Sequence, residues 1–457
     1  MTDGSTELSG ELADVLNKIR QENEHVERVL SEDPTIQAVS IAHLIPLPKP
    51  STEDELAVLL RHELEGAHLA QLRANRTETL GGQPLIRLLV ANSGENSAQR
   101  QEVAPALLAK VSGPERLVTV VVTGRSLSET IDSIDTLRAA GVPVVASRLA
   151  GDRLTNLKSE EEEVANLRGG LARIASPASD QAAATAAYLK PTASRVLIIR
   201  DTNPSDIWLE SIDNEFRDAF EDNTHKVVST ESYDSRLGGV ANGMSDILQN
   251  ICAHRPEAVY FAGRTPALVS FIQALPGRNC QDLEIKIIAG ADAVELLNKV
   301  SRGDPDLRNG LNANASVQYT GQAHPESWKA SPESFLPEAI PPFSETCEQY
   351  CFTTVSRDGT LEDGGAIMGY DAIVTAVTAI REKSRPDYKT DVISQSFKRL
   401  HGVDAIHGAS GEISLDQFGR PVNKAVPILQ VNSNGTVTFL KLSSPLGSPC
   451  KPRTELC

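Results

Sequence analysis

Runs of valine, leucine and isoleucine with almost no polar interruption, each followed by a segment of helical spacing, constrain this chain more than any other feature. Residues 85–91, 117–123, 142–146, 195–200, 258–262 and 283–289 are of this kind. They lack the polar–apolar alternation of a strand with one wet face. Continuous apolar strands suit parallel sheets covered by helices on both sides. Helical spacing follows at 96–110, 128–140, 180–189, 206–221, 239–253, 265–275 and 291–300. Strand–helix alternation at this interval predicts βαβ units. The rhythm restarts after the charged stretch 152–163, so two α/β halves are expected, each about 140 residues, an ordinary domain size.

The remaining segments frame those halves. Residues 7–31 place Leu8, Leu12, Val15, Ile19, Val26 and Leu30 on one helical face, which reads as an appendage or stalk. A strand at 36–45 ends in a proline-rich break. Ser51 or Thr52 then caps a helix to Arg76, with Leu56, Leu59, Leu60, Leu64, Ala67 and Leu72 as its inner stripe. The proline-rich stretch 325–342 reads as a surface crossing. Helices are expected at 365–383 and 391–400, and a closing hairpin turns at Asn434 and Gly435.

With 457 residues the chain exceeds one compact core. Its formal net charge of −17 offers nothing to a polyanion, which excludes a nucleic-acid binder. No run of 18 apolar residues exists to span a bilayer, and the first residues show neither the basic nor the apolar region of a signal peptide. Six cysteines stand at 252, 280, 347, 351, 450 and 457. Cys252 with Cys280, or Cys450 with Cys457, are easy pairs; Cys347 and Cys351, expected in a helix, are awkward ones. No spacing suits zinc.

Enzyme motifs fail one by one. There is no phosphate-binding Gly-x-x-x-x-Gly-Lys loop, no dinucleotide fingerprint after the first strand, and no nucleophile elbow. Ser410, in the Gly408–Gly411 stretch, reads as a turn residue. His62 and Glu63 begin a zinc-protease pattern, but Gly66 stands where the second histidine is required, and His68 is an ordinary helix histidine.

The positive evidence is positional, because ligands of open parallel sheets bind beyond the carboxyl ends of the strands. After 117–123 comes a loop with Gly124, Arg125, Ser126 and Ser128. Gly124 lets backbone approach a ligand. Ser126 and Ser128 offer hydroxyls and N–H groups at a helix start, fit for a carboxylate, and one of them is expected to cap that helix. Ser147 and Arg148 follow 142–146. Asp206, a helix cap, and Trp208 follow 195–200. Arg264 follows 258–262, and Asp292 follows 283–289.

Residues 402–421 add a Gly-x-x-Gly-x-Ile-x-Leu-Asp-x-x-Gly-Arg-Pro run, read as one short strand at 412–415 between glycine turns. Together with Tyr370, Asp371 and Ala372, this segment resembles the closing part of type I periplasmic-binding-protein-like domains, such as leucine/isoleucine/valine-binding proteins of ABC importers. The likeness extends over roughly 36–442, and the start at Thr2–Ser5 resembles actinobacterial members. It implies two doubly wound parallel-sheet lobes joined by three hinge crossings near 176–181, 316–322 and 384–391. The first lobe comprises 36–178 and 319–386, the second 179–318 and 387–457, with 1–35 as a helical extension.

The resemblance also implies roles. Ser126 or Ser128 is similar to the serine that meets a ligand carboxylate, and Ala146 and Ser147 to the next strand end. Trp208 stands where an aromatic lines the cleft. Asp292 looks like the acid that holds an ammonium group. Arg264 departs from the pattern: it either pairs with Asp292 and removes it from ligand duty, or binds a further anion. With Arg125, these eight residues form the expected ligand site. The expected protein is an extracytoplasmic solute-binding protein for an ABC importer, taking an amino acid or related compound into an inter-lobe cleft. It needs no cofactor or metal, performs no chemistry, and acts outside the membrane through an anchor or by secretion. A sensory domain of the same fold is the alternative. An amidase-like or sugar-modifying enzyme, and an interaction module without ligand, are weaker readings.

Overall fold

The computed structural model describes residues 1–5, 8–49, 55–154, 170–204, 206–382 and 388–452. In chain order the described strands are β1 (Ala38–Ile45), β2 (Leu85–Asn92), β3 (Leu117–Val122), β4 (Val144–Ala146), β5 (Leu171–Arg173), β6 (Arg195–Asp201), β7 (Lys226–Tyr233), β8 (Ala258–Ala262), β9 (Ile285–Ala289), β10 (Ala315–Thr320), β11 (Ile406–Gly408), β12 (Gly411–Ile413), β13 (Val426–Val431) and β14 (Val437–Ser443). Contacts divide the chain into two compact units. The first is Met1–Ser176, Ser331–Lys424 and Cys450–Cys457; the second is Pro177–Ala330 and Ala425–Pro449.

The first unit is built on a parallel sheet of order β2-β1-β3-β4-β5. All eight side chains of β1 and all six of β3 are buried, as unalternating strands require. The order reverses between β1 and β3, a switch point at whose carboxyl end loops diverge. Helix Glu55–Arg76 covers the sheet and is buried on all sides from Leu59 to Gln71, so a single inner stripe understates it; Leu72, expected in that stripe, is only half-buried. The Ser51 or Thr52 cap lies outside the described residues. Helix Gly365–Ile380 crosses this helix at backbone contact. A β-carbon on Gly66 would run into the Ala366 carbonyl, and one on Gly369 into the Glu63 carbonyl.

The amino-terminal helix Ala13–Glu32 is no stalk. It packs on helix Glu55–Arg76 and on β2, burying Leu12, Val15, Leu16, Ile19 and Val26. The Asn23 side chain donates to Leu88 O (2.9 Å) and accepts from Leu88 N (3.0 Å). Asn75 does the same for Ile86, at 3.0 and 2.8 Å. The Thr2 backbone bonds Val90 in both directions at 2.7 Å. Alternate residues of β2 are thus matched along its outer side.

The run at 402–421 belongs to this first unit, where the sequence assigned 387–457 to the second. Two contacts hold it. The buried Asp371 carboxylate accepts from Ala409 N (2.9 Å) and Ser410 N (2.7 Å), capping the turn between antiparallel β11 and β12. Gly419, at φ +80°, lies so close to β5 that a β-carbon would meet the Leu171 carbonyl, and its own carbonyl accepts from Arg173 N (2.9 Å). The strand expected at 412–415 is therefore the second arm of a hairpin. Lys424 is buried among Ser410 O, Ser410 Oγ and Gly411 O; burial lowers its pKa to about 8, against the pull of Asp371 and Glu412.

The second unit repeats the strand order. β7-β6-β8-β9-β10 run parallel, and the hairpin β13–β14 extends the sheet antiparallel to β10. β10 went unread in the sequence because Ser316, Gln318 and Thr320 interrupt it. Two of those polar groups find partners on helix Ala178–Leu189: Gln318 Oε1 accepts from Tyr188 (3.1 Å), and Thr320 Oγ1 bonds Gln181 Oε1 (3.2 Å). The crossing expected at 316–322 lies past β10, at Ala330/Ser331, and the one expected at 384–391 lies past the run held by Asp371 and Gly419, at Lys424/Ala425. Cys252 bonds Cys280, as expected. Cys347 and Cys351 are also joined, since their segment is not helical; Cys450 is disulfide-bonded as well.

Gly369→Ala should lower stability by about 1–3 kcal/mol, because the added methyl has no room at the crossing. Gly243→Ala, in helix Val240–His254, meets open space and should be neutral or raise stability by up to ~1 kcal/mol. Urea midpoints of the two variants report the difference; equal shifts would refute the contact.

Candidate functional site

In the first unit the carboxyl ends of β3 and β4 carry Arg125, Ser126, Ser128, Ala146 and Ser147. Gly124, at φ +118°, presses against Pro46 and turns the chain out of β3. Arg125 is half-buried and Ser128 is exposed at the first position of helix Ser128–Ala139. Ser126 is buried, and its Oγ accepts from Gly151 N (2.8 Å). Neither serine caps the helix: Leu127 holds the cap position and no side chain bonds there. The expected hydroxyl cap is therefore corrected, because Ser126 is spent on the loop after β4. Ala146 and Ser147 are fully buried, with Ser147 N bonded to Val122 O (2.9 Å).

Beneath these loops lies a polar cluster that sequence reading missed. Helix Glu55–Arg76 drives Glu63 into the sheet. Its Oε2 accepts from Thr123 Oγ1 at 2.7 Å, and its Oε1 lies 3.5 Å from His43 Nε2, with both side chains fully buried. Burial alone would raise the Glu63 carboxyl. His43 and the Arg148 charge outweigh it and hold the acid below its ordinary range. The signal was present as a lone histidine inside a hydrophobic strand and a glutamate on the helix that covers it.

The neighbouring His62 points the other way. Its Nδ1 lies 2.5 Å from Asp363 Oδ2 and its Nε2 3.2 Å from Asp358 Oδ2. Burial opposes the ring's charge, but Asp363 and Asp358 prevail and raise its pKa to about 10. Arg61 completes the network, bonding Glu11 (2.7 Å), Glu65 (2.9 Å) and Asp358 (2.5 Å). His62, Glu65 and Asp358 have the composition of a metal site. Two cations already stand among them, so the arrangement is an ion-pair network. The Gly66 that broke the zinc-protease pattern is the glycine of the helix crossing. His68, beside Gln71 Oε1 at 3.2 Å, is buried and its pKa falls to about 4.

In the second unit Trp208, Arg264 and Asp292 come together at the ends of β6, β8 and β9, where the strand order reverses. Asp206 joins them. It caps helix Ile207–Phe220 by accepting from Trp208 N (3.2 Å), as the sequence indicated. It also takes the Arg264 fork, Nε to Oδ2 at 2.6 Å and Nη2 to Oδ1 at 2.8 Å. Arg264 Nη1 reaches Asp292 Oδ1 at 3.0 Å. Asp292 Oδ2 accepts from Thr265 N (2.9 Å), while Thr265 Oγ1 donates to the Asp292 carbonyl (2.6 Å). The guanidinium lies 4.3 Å from the Trp208 ring centre, and the ring is pressed against Gly290, where a β-carbon would not fit. Burial works against the Arg264 charge; Asp292 and Asp206 overcome it and raise its pKa. Tyr233, at the end of β7, is nearly buried, and burial together with Asp201, Asp292 and Asp206 keeps its hydroxyl protonated.

No protein-family model and no curated protein matches the sequence. Solved structures do match. The leucine-binding protein of Thermotoga maritima superposes with a TM-score of 0.60 at 19% identity, over 88% of this chain and 98% of that one. A substrate-binding protein of an ABC transporter from Desulfitobacterium hafniense, in complex with Leu, gives 0.63 at 16%, over 88% and 99%. A solute-binding protein from R. palustris, in complex with benzoate, gives 0.58 at 14%, over 92% and 99%. At these identities the likeness is one of fold: the chain has the type I periplasmic-binding-protein fold.

His62→Gln removes the cation from between Asp358 and Asp363 and should cost about 3 kcal/mol, the scale for deleting one member of a buried pair. Because the folded-state pKa is raised from 6.5 to about 10, the contribution is complete below pH 6.5, shrinks as the pH climbs, and is gone above 10. Denaturation curves of wild type and variant should converge at alkaline pH; a gap independent of pH would show that His62 acts by packing alone.

Proposed function

We propose that this chain is an extracytoplasmic solute-binding protein that captures a small carboxylate-bearing solute and delivers it to an ABC importer. The observation that carries this reading is the duplicated sheet, with the same strand order in both units and polar loops gathered at the carboxyl ends of the strands on each side of a switch point. Such loops are where open parallel sheets take ligands. The solved structures of like fold include proteins in complex with Leu, isoleucine and benzoate, all small carboxylates. Disulfides at Cys252–Cys280 and Cys347–Cys351 suit an oxidising compartment outside the cytoplasm.

The residues divide the task as follows. Arg125 and Ser128 in the β3 loop offer charge and hydroxyl to an anionic end. Ser126, Ala146 and Ser147 fix the shape of that loop from below. Trp208, 2% exposed, backs the strand ends of the second unit and supports the Arg264 guanidinium that faces the solute. Asp206 and Asp292 are both engaged by Arg264, which leaves neither as a general base, so the site binds without transforming.

Thermal unfolding and calorimetry with a panel of amino acids and simple carboxylic acids test the reading. A solute at 100 times its Kd stabilises the folded form by about 2.7 kcal/mol, a readily measured rise in Tm. Arg125→Ala should weaken binding at least about tenfold. Absence of heat and of any Tm shift across the panel would remove the proposal.

A further inference from the structure

We infer that the solute carries no free ammonium group, and that Arg264 imposes this by holding, from within the chain, the place a ligand cation would need. The inference rests on the solute-binding reading and narrows it from small carboxylates to acids lacking an α-amino group.

The strand ends of the second unit present Asp206 and Asp292, each with its side chain 7% exposed. Asp206 Oδ1 accepts from Trp208 N and Arg264 Nη2, and its Oδ2 from Arg264 Nε. Asp292 Oδ1 accepts from Arg264 Nη1, and its Oδ2 from the amide of Thr265. All four oxygens are engaged. Two further carboxylates stand at these ends: Asp201 turns Oδ1 to Asn203 N and Ser235 N while its Oδ2 is buried without a hydrogen-bond partner among the described residues, and Asp234, just after β7, is held through both oxygens by Arg236. An incoming ammonium would have to share Asp206 Oδ2 or Asp292 Oδ1 with the guanidinium, setting two like charges side by side, or displace it from its partner where the arginine side chain is only 17% exposed. That exchange is unfavourable, since a buried charge stripped of its partner costs more than the new contact returns. Trp208 reinforces the choice. Its buried ring touches Gly290 and its centre lies 4.3 Å from the guanidinium, so the arginine cannot move aside without losing that contact. An uncharged or apolar end meets no such obstacle. The solved structures of like fold include both a Leu and a benzoate complex, so the fold leaves this choice open and the triad decides it.

The test uses matched pairs that differ only in the amino group: 4-methylpentanoate against L-leucine, and 3-phenylpropanoate against L-phenylalanine, with benzoate added. Calorimetry on the wild-type protein should show the amino-free acid bound at least about tenfold more tightly in a pair that binds. Tighter binding of the amino acids would overturn the inference and leave the solute-binding reading standing. Binding of no member would remove both. Arg264→Ala frees two carboxylates and should shift the preference toward the amino acid of each pair by at least about tenfold. An unchanged preference in an Arg264→Ala protein of native circular dichroism would show that Arg264 is not the cause. Where that variant does not fold, Arg264→Lys, which keeps the charge but loses the fork, should narrow the preference; an unaltered ratio counts against the inference.

Discussion

The crossing of helices Glu55–Arg76 and Gly365–Ile380 at backbone contact is the constraint on which the first unit depends. Gly66 and Gly369 let the two axes approach until side chains of one turn share a space with carbonyls of the other. That approach fixes the register of both helices. On the first it aims Glu63 into the sheet beneath the β3 loop and His62 outward to Asp363 and Asp358. On the second it places Asp371 where its carboxylate meets the amides of Ala409 and Ser410. A segment nearly forty residues further along the chain is thereby pinned to the same unit. Close packing works as a ruler here, because interiors at crystal-like density do not yield by an ångström without loss.

Three buried charge clusters organise the described residues of the two units. Glu63 faces His43, His62 faces two aspartates, and Arg264 is clasped by two more. Only an arginine can serve the last position, since its planar fork matches one carboxylate side-on and still reaches a second. A lysine there would hold one acid and abandon the other. The same triad that stiffens the strand ends of the second unit also decides what charge they can receive.

Much of the architecture is legible in the sequence, and what is not has physical causes. Unalternating apolar runs announce β2, β3, β4, β6, β8 and β9 because both faces of those strands are covered. β5 is three residues long and leaves no periodic trace. β10 is hidden because its polar side chains are satisfied by Tyr188 and Gln181 of a helix that no local rule connects to it. The amino-terminal helix has the amphipathic face of a packed element, but the sequence does not say what it packs on. Among the candidate site residues, loop position is readable while partnership is not. Ser126 and Ser128 resemble helix caps, and one of them is used elsewhere. The Arg264–Asp292 contact follows from the loops of neighbouring strands β8 and β9, whereas the tighter clasp by Asp206 crosses the switch point from β6 and depends on a helix start whose geometry lies beyond spacing rules.

The matched outer side of β2 has a consequence for how the molecule behaves in a crowded solution. A terminal strand with bare amides and carbonyls is a template onto which another polypeptide can add itself. Here Asn23 and Asn75 imitate a neighbouring strand with their carboxamides, and Thr2 contributes real backbone at the third position. The helices that look like padding on this rim therefore act as a lid against self-association. A sequence that drifted at those two asparagines would keep its folded core yet become prone to stacking, copy upon copy, along the uncovered strand.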